Sequence, residues 1–273
     1  MTAQAPSLIA QSVARYRAEH QLLDHPRLLE DPLAIAMAGG ESNLGPGAGP
    51  WIRALTVARC RYAEDQLAAA IARGATQYVM VGAGLDTYAY RNPNGGVRTF
   101  EVDYPATQAW KRNRLDVAGI HLPPSLTFVP TDFEEETLGS ALERSGFQPA
   151  EISFFSWLGV SAYLNTEAAM AAVAFMGSMP AASGVVFDYA VDRSTLDPVG
   201  QLAMDGLTSR VALADQPVRL SIDPGALAKM LACAGFQEIE DLGPAEIDAR
   251  YFLGRTDGLT VSPGVAHLVS ARV

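Results

Sequence analysis

Seven short runs rich in Val, Ile, Phe and Tyr punctuate the chain, and most neighbours among them are separated by a segment with helical spacing. The runs are QYVMV, VRTFEVD, LTFVP, EISFFSW, SGVVFDYA, FQEIEDL and GVAHLVSARV. Strands this continuously apolar need cover on both faces, and intervening helices supply it. The pattern therefore predicts an α/β fold, doubly wound around a mostly parallel sheet. The last two runs are joined by a largely loop-like stretch, so a terminal antiparallel pair is expected. Helices are predicted over residues 55–73, from Pro105 behind Tyr104, over 134–144 and 166–179, and from Pro224 with Asp223 as N-cap. The N-terminal segment SVARYRAEHQLLDHPRLLEDPLAIAMA reads as one or two short helices, broken around residues 24–26 and at Asp31 and Pro32. A Gly/Pro-rich linker, GGESNLGPGAGP at 39–50, sets it apart.

With 49% hydrophobic and 18% charged residues among 273, the chain has the makings of a filled globular core. Its formal charge of -10 excludes a phosphate-neutralising surface, so nucleic acid is not an expected partner and a small molecule is. The opening MTAQAPSLIA lacks a basic leader, and the longest weakly polar run, at 168–179, is too short to span a bilayer. The expectation is a cytoplasmic protein without a membrane partner. Cys60 and Cys233 form no CxxC pair, so neither a metal site nor a disulfide is expected. Composition leaves the oligomeric state open.

The chemistry concentrates in VMVGAGLDTYAYR, residues 79–91. Gly82, Ala83 and Gly84 let the chain turn sharply and let a ligand approach the backbone after the first strand. Dinucleotide sites want another glycine where Thr87 stands, and Asp86 would repel a pyrophosphate. An adenosine ligand without phosphate fits better, and S-adenosylmethionine is the common one. Further along, the second strand ends in Glu101, Val102 and Asp103, and a carboxylate there can accept both ribose hydroxyls; Asp103, at the strand's end, is better placed than Glu101. The third strand ends in Thr131, Asp132 and Phe133, an acid and an aromatic suited to adenine. On the preceding helix, Arg59 or Arg61 offers a guanidinium for the methionine carboxylate.

Each residue also has a plainer reading. The glycines suit any strand-to-helix turn, and Asp103 and Asp132 suit helix caps. Arg61, Lys111, Arg112 and Arg114 read as exposed helix residues, and His20, His25 and His121 as surface residues. His267, in the apolar VAHLV, reads as a hydrogen-bonded structural histidine, so no histidine stands out as a general base. Tyr163 is the candidate substrate-facing residue, with packing as its alternative, and Tyr16 is a weaker candidate of the same kind.

The motifs ARCRYAEDQL, QYVMVGAGLDTYAYR, FEVDYP with Lys111, VPTDF, DPLA, FFSWLGVSAYL, VVFDY and YFLGRTDGL resemble those of the leucine carboxyl methyltransferase family, in its bacterial class I branch, across almost the whole chain. The resemblance implies a seven-stranded sheet, with residues 1–50 as a helical cap and linker over the pocket and residues 51–273 as the S-adenosylmethionine-binding domain. It also implies Arg59 on the cofactor carboxylate, the turn at residues 82–84 on the methionine part, Asp103 on the ribose, and Asp132 with Phe133 on the adenine. Two positions depart from the family: Tyr88 replaces an arginine, which would change the charge near the methyl, and Leu158 replaces a glutamate.

Methyl transfer from a sulfonium chiefly needs in-line alignment and exclusion of water. A carboxylate acceptor needs no base, whereas a hydroxyl generally does. The expected function is thus O-methylation of a small molecule, a carboxylate or hydroxyl of a secondary metabolite. The alternatives are a methyltransferase-fold binding protein without transferase activity and an NAD-dependent oxidoreductase.

Overall fold

The computed structural model describes residues 8–41, 49–92, 96–133, 135–212 and 217–273. Most of the linker, Glu134 as the start of a helix, the last residues of the segment 192–216 and the first seven residues lie outside the described residues.

The strands are β1 (Gln77–Val81), β2 (Arg98–Asp103), β3 (Leu126–Pro130), β4 (Ser153–Trp157), β5 (Gly184–Ala190), β6 (Glu238–Leu242) and β7 (Ala266–Arg272), in the sheet order β3-β2-β1-β4-β5-β7-β6. The first five run parallel, while β7 is antiparallel to both β5 and β6. The expected doubly wound sheet and its antiparallel end are both present. β1 lies between β2 and β4, so strand order reverses there. A cleft opens beyond the strand ends at such a point.

Side chains alternate across the sheet and divide the core in two. Val79, Val81, Phe100, Phe155 and Phe187 pack with α6 (Leu138–Glu143), α7 (Thr166–Gly177) and α9 (Pro224–Cys233). Tyr78, Met80, Phe154 and Val186 pack on the other face with α3 (Pro50–Ala72) and α10 (Pro244–Tyr251). The N-terminal segment forms α1 (Leu8–Leu23) and α2 (Ala34–Ala38), broken where expected; α1 lies against α3, and α2 against α5 (Pro105–Val117). A short helix, α4 (Tyr88–Arg91), follows the glycine turn, and α8 is Pro198–Ala212. No described helix is long and apolar enough to cross a membrane.

Several expectations need correction. The third strand's helix starts at Leu138, because Thr137 Oγ1 caps Ser140 N–H at 3.3 Å, whereas Asp132 offers its backbone carbonyl to Glu135 and Glu136 in a turn. α8 and α10 occupy stretches read without helices, and α10 opens with Pro244 at its first position. His20 is fully buried rather than at the surface. Its Nε2 accepts from Leu28 and Leu29 N–H, so Nδ1–H donates to Asp24 at 2.8 Å. Lys111 is buried too, not on an exposed face: its Nζ lies 2.7 Å from Glu101 Oε2 and over the Tyr90 ring. Arg112 is exposed, Arg61 pairs with Asp65, and His267 lies within hydrogen-bond reach of Asp241 and Tyr189, as their sequence context suggested.

Candidate functional site

Beyond the carboxyl ends of β1, β2 and β4 lies a cavity of about 390 Å³. Its floor is the turn at residues 82–84. Gly82 has φ +69° and Gly84 φ +48°, and a Cβ on Gly82 would come within 2.3 Å of Val160 Cγ2, so the turn needs glycine there for both conformation and space. Asp103 ties the end of β2 to this turn: its Oδ2 accepts from Gly84 N–H at 2.6 Å and its Oδ1 from Tyr104 N–H at 2.7 Å. Burial pushes the Asp103 carboxyl above its ordinary value, against the pull of these two N–H groups and Lys111.

Arg59, Gly82, Ala83, Gly84, Asp103, Phe133 and Tyr163 all line this cavity; Asp132, half-buried, does not. Glu101 is taken by Lys111 beneath the floor, which leaves Asp103 as the strand-end carboxylate facing the cavity. Burial pushes the Tyr163 phenol up to about 12. Cys60 also lines the cavity, and burial raises its thiol to about 12, so it stays protonated and inert.

Tyr88 does not line the cavity. It stands edge-on to Tyr78, ring centroids 5.2 Å apart, and packs with the α3-side core. Arg91 reaches Thr87 Oγ1 at 3.0 Å from that same short helix. Leu158 does line the cavity, and puts an apolar surface at the end of β4.

Two charged residues escaped sequence reasoning. Arg17 of α1 reaches across to Asp31, Thr87 and Asp86, the last at 3.2 Å, and lines the cavity. Burial opposes its charge, yet Asp31 and Asp86 outweigh this and hold its pKa above the ordinary value. No local sequence signal marks it. Asp188, on β5, accepts from Arg59 Nη1 at 2.9 Å and from Gly159 N–H at 2.6 Å. It stands near a strand's carboxyl end, as Asp103 does, and the same rule would have found it.

A second cavity, of about 170 Å³, adjoins the first. The two share Ile9, Val13, Arg59, Gly159, Val160 and Tyr163. Gly159 has φ +69°, and a Cβ there would lie 2.7 Å from Arg59 Nη2, so the glycine makes room for the guanidinium between the cavities.

A sheet of this order with a glycine turn and a strand-end aspartate around one cleft is the frame of an enzyme that binds an adenosine-containing cofactor, and likeness to known proteins makes it a class I S-adenosyl-L-methionine-dependent methyltransferase. A model of the leucine carboxyl methyltransferase family matches residues 10–177, and the chain belongs to that family. It is 32% identical over 237 residues to the Bacillus subtilis protein named "Putative S-adenosyl-L-methionine-dependent methyltransferase YktD", covering 86% of this chain and 75% of that one. A Frankia alni protein of the same designation is 34% identical over 63% of this chain, which spans 64% of that relative's length. In fold, the chain is similar to a DUF574 family protein from Streptomyces avermitilis, with TM-score 0.59, 16% identity and 96% of each chain covered. It is also similar to magnesium protoporphyrin IX methyltransferase from Synechocystis solved with bound SAH, with TM-score 0.50, 12% identity, and 84% and 89% covered. The family thus decides for methyl transfer where the α/β pattern alone had left hydride transfer open.

Proposed function

We propose that this methyltransferase acts on an oxygen of a small molecule, a carboxylate or hydroxyl of a secondary metabolite, in the cytoplasm, where its donor is made. The observation that carries this reading is the junction of the two cavities, where Arg59, Gly159, Val160 and Tyr163 face both spaces and no histidine stands. The larger cavity suits the donor and the smaller one the acceptor. Residues 1–50 act as a cap on a methyltransferase domain of residues 51–273.

The residues around the larger cavity fit the donor. The Gly82 cradle admits no side chain, Asp103 offers a carboxylate to paired hydroxyls, and Arg59 has a buried Nε without a hydrogen-bond partner. In this reading Arg59 holds the methionine carboxylate, the turn at residues 82–84 borders the methionine part, Asp103 holds the ribose and Phe133 borders the adenine. Asp132 stands outside the cavity lining, so its share in holding the adenine rests on its place beside Phe133. S-adenosylmethionine supplies an electrophilic methyl group on its sulfonium. The chain itself aligns the acceptor oxygen at the junction, with Tyr163 as the substrate-facing residue, and the apolar wall from Leu158 to Val160 excludes water.

Isothermal titration with S-adenosylhomocysteine tests the assignment. Wild type should bind, and Asp103→Ala should lose about 2 kcal/mol, roughly thirtyfold in affinity, as expected for a hydrogen bond to a charged group. Absence of binding to the wild type would remove the reading.

A further inference from the structure

The acceptor cavity has an unusual balance of groups. Its walls are Tyr16 of α1, Trp51 and Leu55 of α3, and Met204, Leu207 and Val211 of α8. Polar atoms are present, but several have already given their protons to the protein. Ser12 Oγ donates to Leu8 O at 2.9 Å, Ser161 Oγ to Asp188 O at 2.6 Å, and Tyr189 Oη to Asp241 at 2.8 Å. The two buried charges that line it, Arg59 and Asp188, neutralise each other at 2.9 Å. Arg210, the remaining charged residue of the lining among the described residues, is exposed on the last turn of α8.

A ligand body placed among these walls loses its water and finds little to replace it. An ammonium, a phosphate or a row of hydroxyls would find few buried partners there among the described residues, which disfavours such a molecule. Among the described residues, a phenol hydroxyl, a guanidinium and a carboxylate stand together only at the junction, at Tyr163, Arg59 and Asp188. Resting on the function proposed above, we infer that the acceptor has a compact apolar body, about one substituted aromatic ring in bulk, bearing one oxygen nucleophile and no second charge. The body occupies the space between α1, α3 and α8, and the oxygen points to the junction. Amino acids, nucleotides and sugars are disfavoured because the described lining offers too few partners for their several polar groups.

Trp51 makes the cavity observable, since its ring lines the wall. Wild-type protein saturated with S-adenosylhomocysteine is titrated with 4-propylphenol, with 4-propylbenzoic acid and with L-tyrosine while tryptophan fluorescence is followed. A saturable change with the phenol, the acid or both is expected, absent in Trp51→Phe, with L-tyrosine binding at least about tenfold more weakly. Which of the first two binds identifies the acceptor oxygen. Leu207→Glu should weaken the apolar probe about tenfold while leaving affinity for S-adenosylhomocysteine within about twofold. Leu55→Trp, which fills the space without a charge, should do the same and serves if the glutamate variant does not fold. L-tyrosine binding as well as the apolar probes, no saturable signal from either probe, or full probe affinity in both folded variants would overturn the inference. Failure of wild type to take up S-adenosylhomocysteine appears before any acceptor is added, and refutes the underlying function instead.

Discussion

Arg59 is the residue on which the proposed donor site and the acceptor cavity both depend. Its guanidinium leans on Asp188 and is given room by Gly159, so a change at this position has a structural and a ligand-binding consequence that can be separated. Arg59→Gln leaves the Asp188 carboxylate buried without its counter-charge, at a cost of about 3 kcal/mol of stability, and adding Asp188→Asn should restore most of it. Affinity for S-adenosylhomocysteine should fall at least about tenfold in both variants, because the ligand carboxylate has lost its guanidinium. Binding of 5′-methylthioadenosine, which lacks that carboxylate, should stay within about twofold of wild type; titration of both ligands decides, and an equal loss for the two would refute the role. At this scale the sequence was legible where function sits at the end of a strand: Gly82, Gly84, Asp103 and Phe133 all reach the cavity. It was silent where a side chain works across the fold. Arg17 meets Asp86 from a helix many residues earlier, and Lys111, in a helix of polar appearance, turns inward to Glu101.

Among the elements, the β2–α5 unit shows how a polar pair can support a site from below. Glu101 and Lys111 are both essentially inaccessible to solvent, and the pair lies one strand step beneath Asp103. Burial pushes the Glu101 carboxyl above its ordinary value, with Lys111 pulling the other way. Lys111→Met should therefore destabilise the protein by about 3–5 kcal/mol, and Lys111→Met with Glu101→Leu should recover most of that loss, as read from chemical denaturation midpoints. Strand positions were legible almost to the residue, because each combines an apolar run with turn residues on both sides. Helices were less so. α8 carries its apolar residues toward a cavity rather than a packed core, and α10 lies in a stretch where glycine and proline dominate the local reading, although Pro244 and Ile247 mark a first position and a buried face.

In the whole molecule, α1 lies over both cavities through Ile9 and Val13, and its attachment is electrostatic as well as apolar. Asp24 accepts from Arg53 Nε and Nη2, both at 2.8 Å, and from His20. Burial alone would raise the Asp24 carboxyl, but His20 and Arg53 outweigh it and hold it below its ordinary 3.8. A carboxylate with a depressed folded pKa contributes fully above the unfolded value and loses its contribution as pH falls through the lower, folded value. Asp24→Asn should thus cost about 3 kcal/mol at neutral pH, and the gap between variant and wild type should close as the pH drops below about 3.8; unfolding curves at a series of pH values measure it. A gap independent of pH would show that charge is not what Asp24 supplies. The sheet order carries a consequence of another kind. β6 pairs with β7 alone, and β7 is written into the chain only after α10 and the loop behind it. While the protein is being made, β6 therefore emerges from the ribosome with no neighbour to join, and the nascent sheet stays open at β5 until β7 arrives to seat both strands together.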